Sequence, residues 1–319
     1  MNGETTQTKK QHYIPQPILE KWSSNGKQLK CIKFNSDMTM ETVSMAIKDA
    51  FQVSYLYGKS RKFEDELFAN DIEPNFYKAI AELRRKKCVR DKRIQDYVLY
   101  QMCRTKFVVD ICIHNVKAMF DTYFDEDKAR EAGVLKENLR HFIEDEHGHN
   151  IGYKDALENI ILPAIKPFIC SLRKQKLIRS DIDLFIGENP VIIICPLTRP
   201  GRICSILEPC AMALFPISPS EVIVLYRPED CELKDNYFLS ESEAICFNSF
   251  QIQQTGRFIA YKNDFCEETY KCYFKNGHDH KILAFPNGVK LFHTWQDLHY
   301  SGLDSCFRNI FYPKANAQV

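Results

Sequence analysis

The sequence predicts an α+β fold in which helices and strands are segregated along the chain instead of alternating. Two observations carry this. Between residues 61 and 179 apolar side chains recur every three or four positions, the spacing of amphipathic helices. Beyond residue 179 short β-branched runs are separated by Gly, Pro, Ser and Asn, which is the composition of strands and turns. Small strands come before both. The organisation expected is a disordered polar leader over residues 1–8, one domain over 9–262, and a C-terminal extension over 263–319 packed on that domain.

Each element has its own justification. Residues 9–22, K-K-Q-H-Y-I-P-Q-P-I-L-E-K-W, form an extended segment that Pro15 and Pro17 stiffen and Leu19 and Trp22 anchor. Residues 28–34 alternate after an S-S-N-G turn and read as a strand, with a second element at 43–46 and a short helix or loop at 50–57. Phe63, Leu67, Phe68, Ile72, Phe76, Ile80 and Leu83 mark a helix in which Pro74 either makes a kink or starts a second helix near Glu73. A long helical run spans 90–123, with Ile94, Tyr97, Val98, Gln101, Met102 and Thr105 facing inward. Further helices are expected at 132–146 and 153–175, the latter interrupted by Pro163 and Pro167. Strands follow at 184–186, 191–195, 212–215 and 222–226, then a final helix at 242–260.

Bulk properties exclude several classes. The 43 basic and 42 acidic residues nearly cancel, so the whole-chain charge gives no reason to expect nucleic acid or an anionic membrane. No apolar run reaches the roughly 18–20 residues that span a bilayer, and the N-terminus has no apolar signal-peptide core, which points to a cytoplasmic protein. In that compartment most of the thirteen cysteines are expected to be reduced and buried. Glycine-rich phosphate loops, the G-x-S-x-G elbow and the H-E-x-x-H zinc motif are missing.

The chemistry-bearing candidates are scattered. Glu66 and Glu73 lie seven residues apart, close to two α-helical turns, so both carboxylates are expected on one side. Gln101 and Arg104 share a face of the next helix, in surroundings apolar enough that Arg104 needs an acceptor. Pairing of Arg104 with either glutamate would tie two helices together; otherwise the group surrounds a polar substrate or a metal. His12 offers a base, and G-E-N-P supplies Glu188 and Asn189 in a turn before an apolar strand.

Two readings follow. In the first, Glu66 and Glu73 hold Mg²⁺ or Mn²⁺, Arg104 faces phosphate, His12 handles a proton, and Gln101, Glu188 and Asn189 contact the substrate of a phosphodiester hydrolysis, nucleic acid included. In the second the same groups form the buried polar network of a non-catalytic binding or protein-interaction module.

Zinc at Cys266, Cys272, His278 and His280 is disfavoured, because C-x5-C-x5-H-x-H departs from ordinary ligand spacing. Two basic runs, R-R-K-K-C-V-R-D-K-R at 84–93 and R-K-Q-K-L-I-R at 173–179, would make a nucleic-acid surface if they gathered on one face.

Several of these fragments occur together, in order, in a known family. The Q-H-Y-I-P-Q segment, Glu66 with Glu73, Gln101 with Arg104 and Thr105, G-E-N-P-V at 187–191, F-P-I-S-P at 215–219 and Asn248 resemble the bacterial family catalogued as domain of unknown function 4238. The resemblance covers about residues 9–262, and Gly187-Glu188 stands where the family carries Ser-Asp. It implies no activity; it implies one cleft joining the N-terminal histidine, the helical block and the strand-rich section.

Overall fold

The computed structural model describes residues 10–35, 39–57, 63–106, 108, 157, 162–197, 208–270, 283–284, 290–291 and 303–314. In chain order these give β1 (Lys10–His12), α1 (Gln16–Leu19), β2 (Gln28–Phe34), β3 (Met40–Ala46) and β4 (Gln52–Ser54). A π-helix (Phe63–Ile72) leads into α2 (Glu73–Lys86), followed by β5 (Cys88–Val89), α3 (Lys92–Cys103) and α4 (Leu162–Ser171). Strands β6 (Lys174–Ser180), β7 (Ile186–Gly187), β8 (Ile192–Ile194), β9 (Met212–Ser218), β10 (Glu221–Tyr226), β11 (Cys231–Leu233) and β12 (Phe238–Leu239) come before α5 (Glu241–Gln253). The chain closes with β13 (Phe258–Tyr261), β14 (Leu283–Ala284), β15 (Lys290–Leu291), a 3₁₀ turn (Leu303–Ile310) and β16 (Phe311–Pro313).

The main sheet runs in the order β12-β6-β10-β9-β8, with β5 also paired to β6. Strands β8, β9 and β10 read as nearly continuous apolar runs because both faces are covered. Along β9, Ala213 and Phe215 join the core formed with α2 and α3, while Met212 and Leu214 join Phe247, Phe250, Phe307 and Ile310 on the other side. A second sheet, β3-β2-β13-β7, brings the N-terminal strands beside the chain that follows α5. The C-terminal section is tied in by pairing of β16 with β11.

The fold class is as the sequence predicts, and several boundaries differ for definable reasons. Residues 50–57 hold a strand, since Gln52 pairs with His12 across β4 and β1. A second helix does begin at Glu73, with Pro74 in its first turn, where a missing N–H costs nothing. The expected long run at 90–123 is helical through Cys103 and turns at Arg104–Thr105; the remainder, and the helix at 132–146, lie outside the described residues apart from single positions.

The largest departure is β6. Its charged sequence hides a strand, yet Gln175, Ile178 and Ser180 are buried and Lys176 sends its ammonium to the Leu233 carbonyl and Asp235. A lysine stem packs as an apolar side chain once its head is paired. The final helix also stops at Gln253, and Phe258–Tyr261 crosses between β2 and β7 after Gly256. Among the cysteines, Cys31, Cys103, Cys210, Cys231 and Cys246 are buried free thiols as expected. Cys195 is disulfide-bonded and departs from the expectation.

Candidate functional site

The stretch after β1 is the hub of the polar interior. Tyr13 is fully buried, and its two ends reach different parts of the fold. Its backbone carbonyl accepts from Gln101 Nε2 at 2.8 Å and from Arg104 Nε at 3.0 Å, both at the end of α3. Its phenol donates to Glu188 Oε1 at 2.8 Å in the turn after β7. Burial, then the Glu188 carboxylate, push that phenol's pKa up, so it stays a donor. Trp22 adds a second tie, its indole N–H donating to the Leu184 carbonyl at 2.7 Å.

Arg104 lies where α3 ends, and its side chain is only 3% exposed. Nε serves Tyr13, and Nη1 donates to Glu73 Oε1 at 2.9 Å. The Phe68 ring lies 4.6 Å from the guanidinium carbon. Nη2 is buried and has no partner among the described residues. Burial is the strongest influence and opposes the charge on Arg104, but the Glu73 carboxylate and the Tyr57 and Tyr97 phenols together outweigh it and hold the pKa above the ordinary value.

One turn along α2 from Glu73, the Tyr77 hydroxyl is likewise buried without a partner. Burial first and the Glu73 charge second raise its pKa, so it is a neutral hydroxyl with a hydrogen to give. Tyr97, stacked on Phe76 with centroids 3.7 Å apart, places its hydroxyl 3.4 Å from Gln101 Oε1.

His12 sits at the margin of this group. It is half-buried, with Nε2 3.4 Å from the Ile47 carbonyl, and its pKa is lowered mainly by burial. The Ile47 carbonyl works against that shift and the Arg104 charge reinforces it.

Glu188 is differently placed. Its Oε2 accepts from the backbone N–H groups of Gly256 and Arg257 at 2.8 and 2.6 Å, and its Oε1 from Tyr13 and from Arg257 Nε at 3.1 Å. Both oxygens are thus committed to the fold. Asn189 donates from Nδ2 to the Gln254 carbonyl and keeps a buried, unpartnered Oδ1. Gly187 is packed so tightly that a Cβ would come within 2.8 Å of the Gln251 carbonyl oxygen. Asn248, from the middle of α5, holds the same region by accepting from Phe185 N–H at 2.8 Å and donating to the Asp183 carbonyl at 2.9 Å.

The structure therefore brings His12, Glu73, Gln101 and Arg104 together around the main chain of Tyr13, and places Glu188 and Asn189 at its phenol end. Glu66 belongs to the π-helix, whose wider turn leaves seven residues well short of two turns. Its side chain lies outside the described residues. Among the described residues no three His, Cys, Asp or Glu side chains gather as a metal site. Of the disfavoured zinc set, Cys266 is exposed and Cys272, His278 and His280 lie outside the described residues.

The two basic runs do meet, because β5 pairs with β6 through Cys88 with Lys176 and Val89 with Gln175. Carboxylates are interleaved with them: Arg84 pairs with Glu221, Arg93 with Glu82 and Asp91, Arg173 with Glu229, and Lys174 with Glu232.

Sequence reasoning missed Tyr13, Tyr77 and Arg257. Tyr77 was within reach, being four residues after Glu73 and hence on the same helical face. Tyr13 acts through its backbone oxygen, which no side-chain pattern reports.

A family model described as Protein of unknown function (DUF4238) matches residues 10–265, most of the chain, and the chain belongs to that family. No curated protein and no solved structure matches it.

Proposed function

We propose that this member of a family of unknown function is a binding protein whose buried polar network presents Arg104 to an oxyanion. One observation carries the reading. Two of the three guanidinium nitrogens are fixed by Tyr13 and Glu73, while Nη2 is buried without a partner. A buried donor left unpaired costs about 1–3 kcal/mol, which an acceptor oxygen from a ligand would recover. An arginine locked at two nitrogens also loses little freedom when the third binds. Titration of dimethyl phosphate by calorimetry tests this: heat of binding is expected in the wild type and its loss in Arg104→Lys, with Gln101→Leu as a control for general loosening of the network. Equal binding by wild type and Arg104→Lys would refute it.

Phosphodiester hydrolysis is the second reading, favoured by the π-helix that carries Glu66 straight into α2 at Glu73. Such helices are frequent at functional sites. In that reading Glu66 and Glu73, which the π-turn sets off a common face, would together hold Mg²⁺ or Mn²⁺ beside the bound phosphate, and His12 would take a proton. Turnover of bis(p-nitrophenyl) phosphate that needs manganese and is lost in a folded Glu66→Gln protein would support it; a rate equal to that of the variant would exclude it. A nucleic-acid ligand would gain further contacts from Arg85, Arg90, Lys92 and Arg179, which have no ion pair among the described residues. Its binding would weaken steeply with salt.

A further inference from the structure

We infer that the ligand taken at Arg104 is a singly charged oxyanion, a phosphodiester in preference to a dianionic phosphate monoester. The inference rests on the oxyanion reading above and narrows it by counting the charges around the donors.

The donors available to a ligand are Arg104 Nη2 and the Tyr77 hydroxyl, both buried and both without a partner among the described residues. Among the described residues, the charges acting on the Tyr77 hydroxyl are Glu73, Arg104 and Glu20, which carry no surplus of positive charge. The Arg104 cation is already matched by Glu73 at 2.9 Å. Glu20, on the turn after α1, adds a second negative charge that acts on the Tyr77 hydroxyl. His12 is a basic group within the field of Arg104, and burial together with Arg104 favours its neutral form. Tyr57 and Tyr97 complete the ring of titratable groups acting on Arg104, and burial keeps Tyr97 a neutral phenol.

Two donors in such a setting suit an oxygen that brings one charge. A second charge would meet the Glu73 carboxylate in an interior where Coulomb interactions are far stronger than in water, with the exposed Glu20 carboxylate beyond it. Sites for phosphate monoesters place several cations around the group, and here one guanidinium is shared with a carboxylate.

Dimethyl phosphate and methyl phosphate make the test, since they differ by one methyl group and one charge. Thermal melting would be followed with each at matched ionic strength and about pH 8, where the monoester carries both charges. The diester is expected to raise Tm at concentrations about tenfold lower than the monoester does. Tyr77→Phe removes only a hydroxyl that has no partner in the fold, so the variant keeps its structure and is expected to lose most of the response to the diester.

A monoester that protects as well as the diester overturns the charge preference and leaves an oxyanion site standing. Protection unchanged in Tyr77→Phe places the ion elsewhere and overturns the inference. Absence of any response to either compound removes the oxyanion reading and this inference with it.

Discussion

In the proposed reading, Arg104 serves the fold and a ligand with one side chain. A guanidinium with three nitrogens is held by a main-chain oxygen and a carboxylate, and its remaining amino group is available for recognition. Removing it leaves the largely buried Glu73 carboxylate without its Arg104 donor and the Tyr13 carbonyl with Gln101 alone. Arg104→Ala is therefore expected to cost roughly 3–5 kcal/mol, read as a lower urea midpoint at unchanged slope. A loss under about 1 kcal/mol would mean that the pair is not formed.

His12 gives a pH signature. Its folded pKa lies below the ordinary 6.5, so the unfolded chain takes up a proton first as pH falls. Its contribution to stability is complete above about 6.5 and declines as pH drops through the folded value. His12→Gln should flatten that part of the stability profile, measured by urea unfolding between neutral pH and about pH 5. The types of residue at this site were legible in the sequence, because an arginine in an apolar helix face requires an acceptor. Its partner was not, because choosing between Glu66 and Glu73 needs the helix geometry.

At the scale of elements, the sequence misleads where a local pattern is overridden by packing. Residues 174–180 carry a basic run, yet they form a central strand because every second side chain enters a core or finds an acid. The π-helix is invisible to a periodicity of three to four, since Phe63, Leu67, Phe68 and Ile72 satisfy both spacings. The turn after β7 was legible as a turn, though its meaning was not. Gly187 allows the chain to approach α5 so that Gln251 accepts from its N–H at 2.8 Å, and the Gln251 side chain donates to the Pro190 carbonyl at 2.9 Å. Gly187→Ala would push a methyl against the main chain of α5, a shift worth about 1–3 kcal/mol. Thermal unfolding of that variant measures it, and an unchanged Tm would show that the β7–α5 contact is looser than drawn.

At the scale of the molecule, the segregated pattern of helices and strands announced the α+β class, while the three-layer arrangement did not show in the sequence. It depends on β9 and β10 receiving helices on one face and α5 with the 3₁₀ turn at Leu303–Ile310 on the other. Phe307, Ile310 and Phe311 are part of that second layer. Phe307 is fully buried against Phe250, so Phe307→Ala should cost about 3–5 kcal/mol and unfold the domain as one unit. A separate early transition would instead show the extension to be a lobe of its own.

Within this frame the N-terminal segment is a bridge. Tyr13 reaches α3 with its backbone and the β7 turn with its phenol, and the candidate site lies along that bridge. A crystal structure after soaking with dimethyl phosphate and manganese, with anomalous scattering to mark the metal, tests this most directly. The account predicts a phosphate oxygen within hydrogen-bond distance of both Arg104 Nη2 and the Tyr77 hydroxyl. Arg104 Nη2 bound instead to a protein acceptor, with no phosphate beside it, would contradict it.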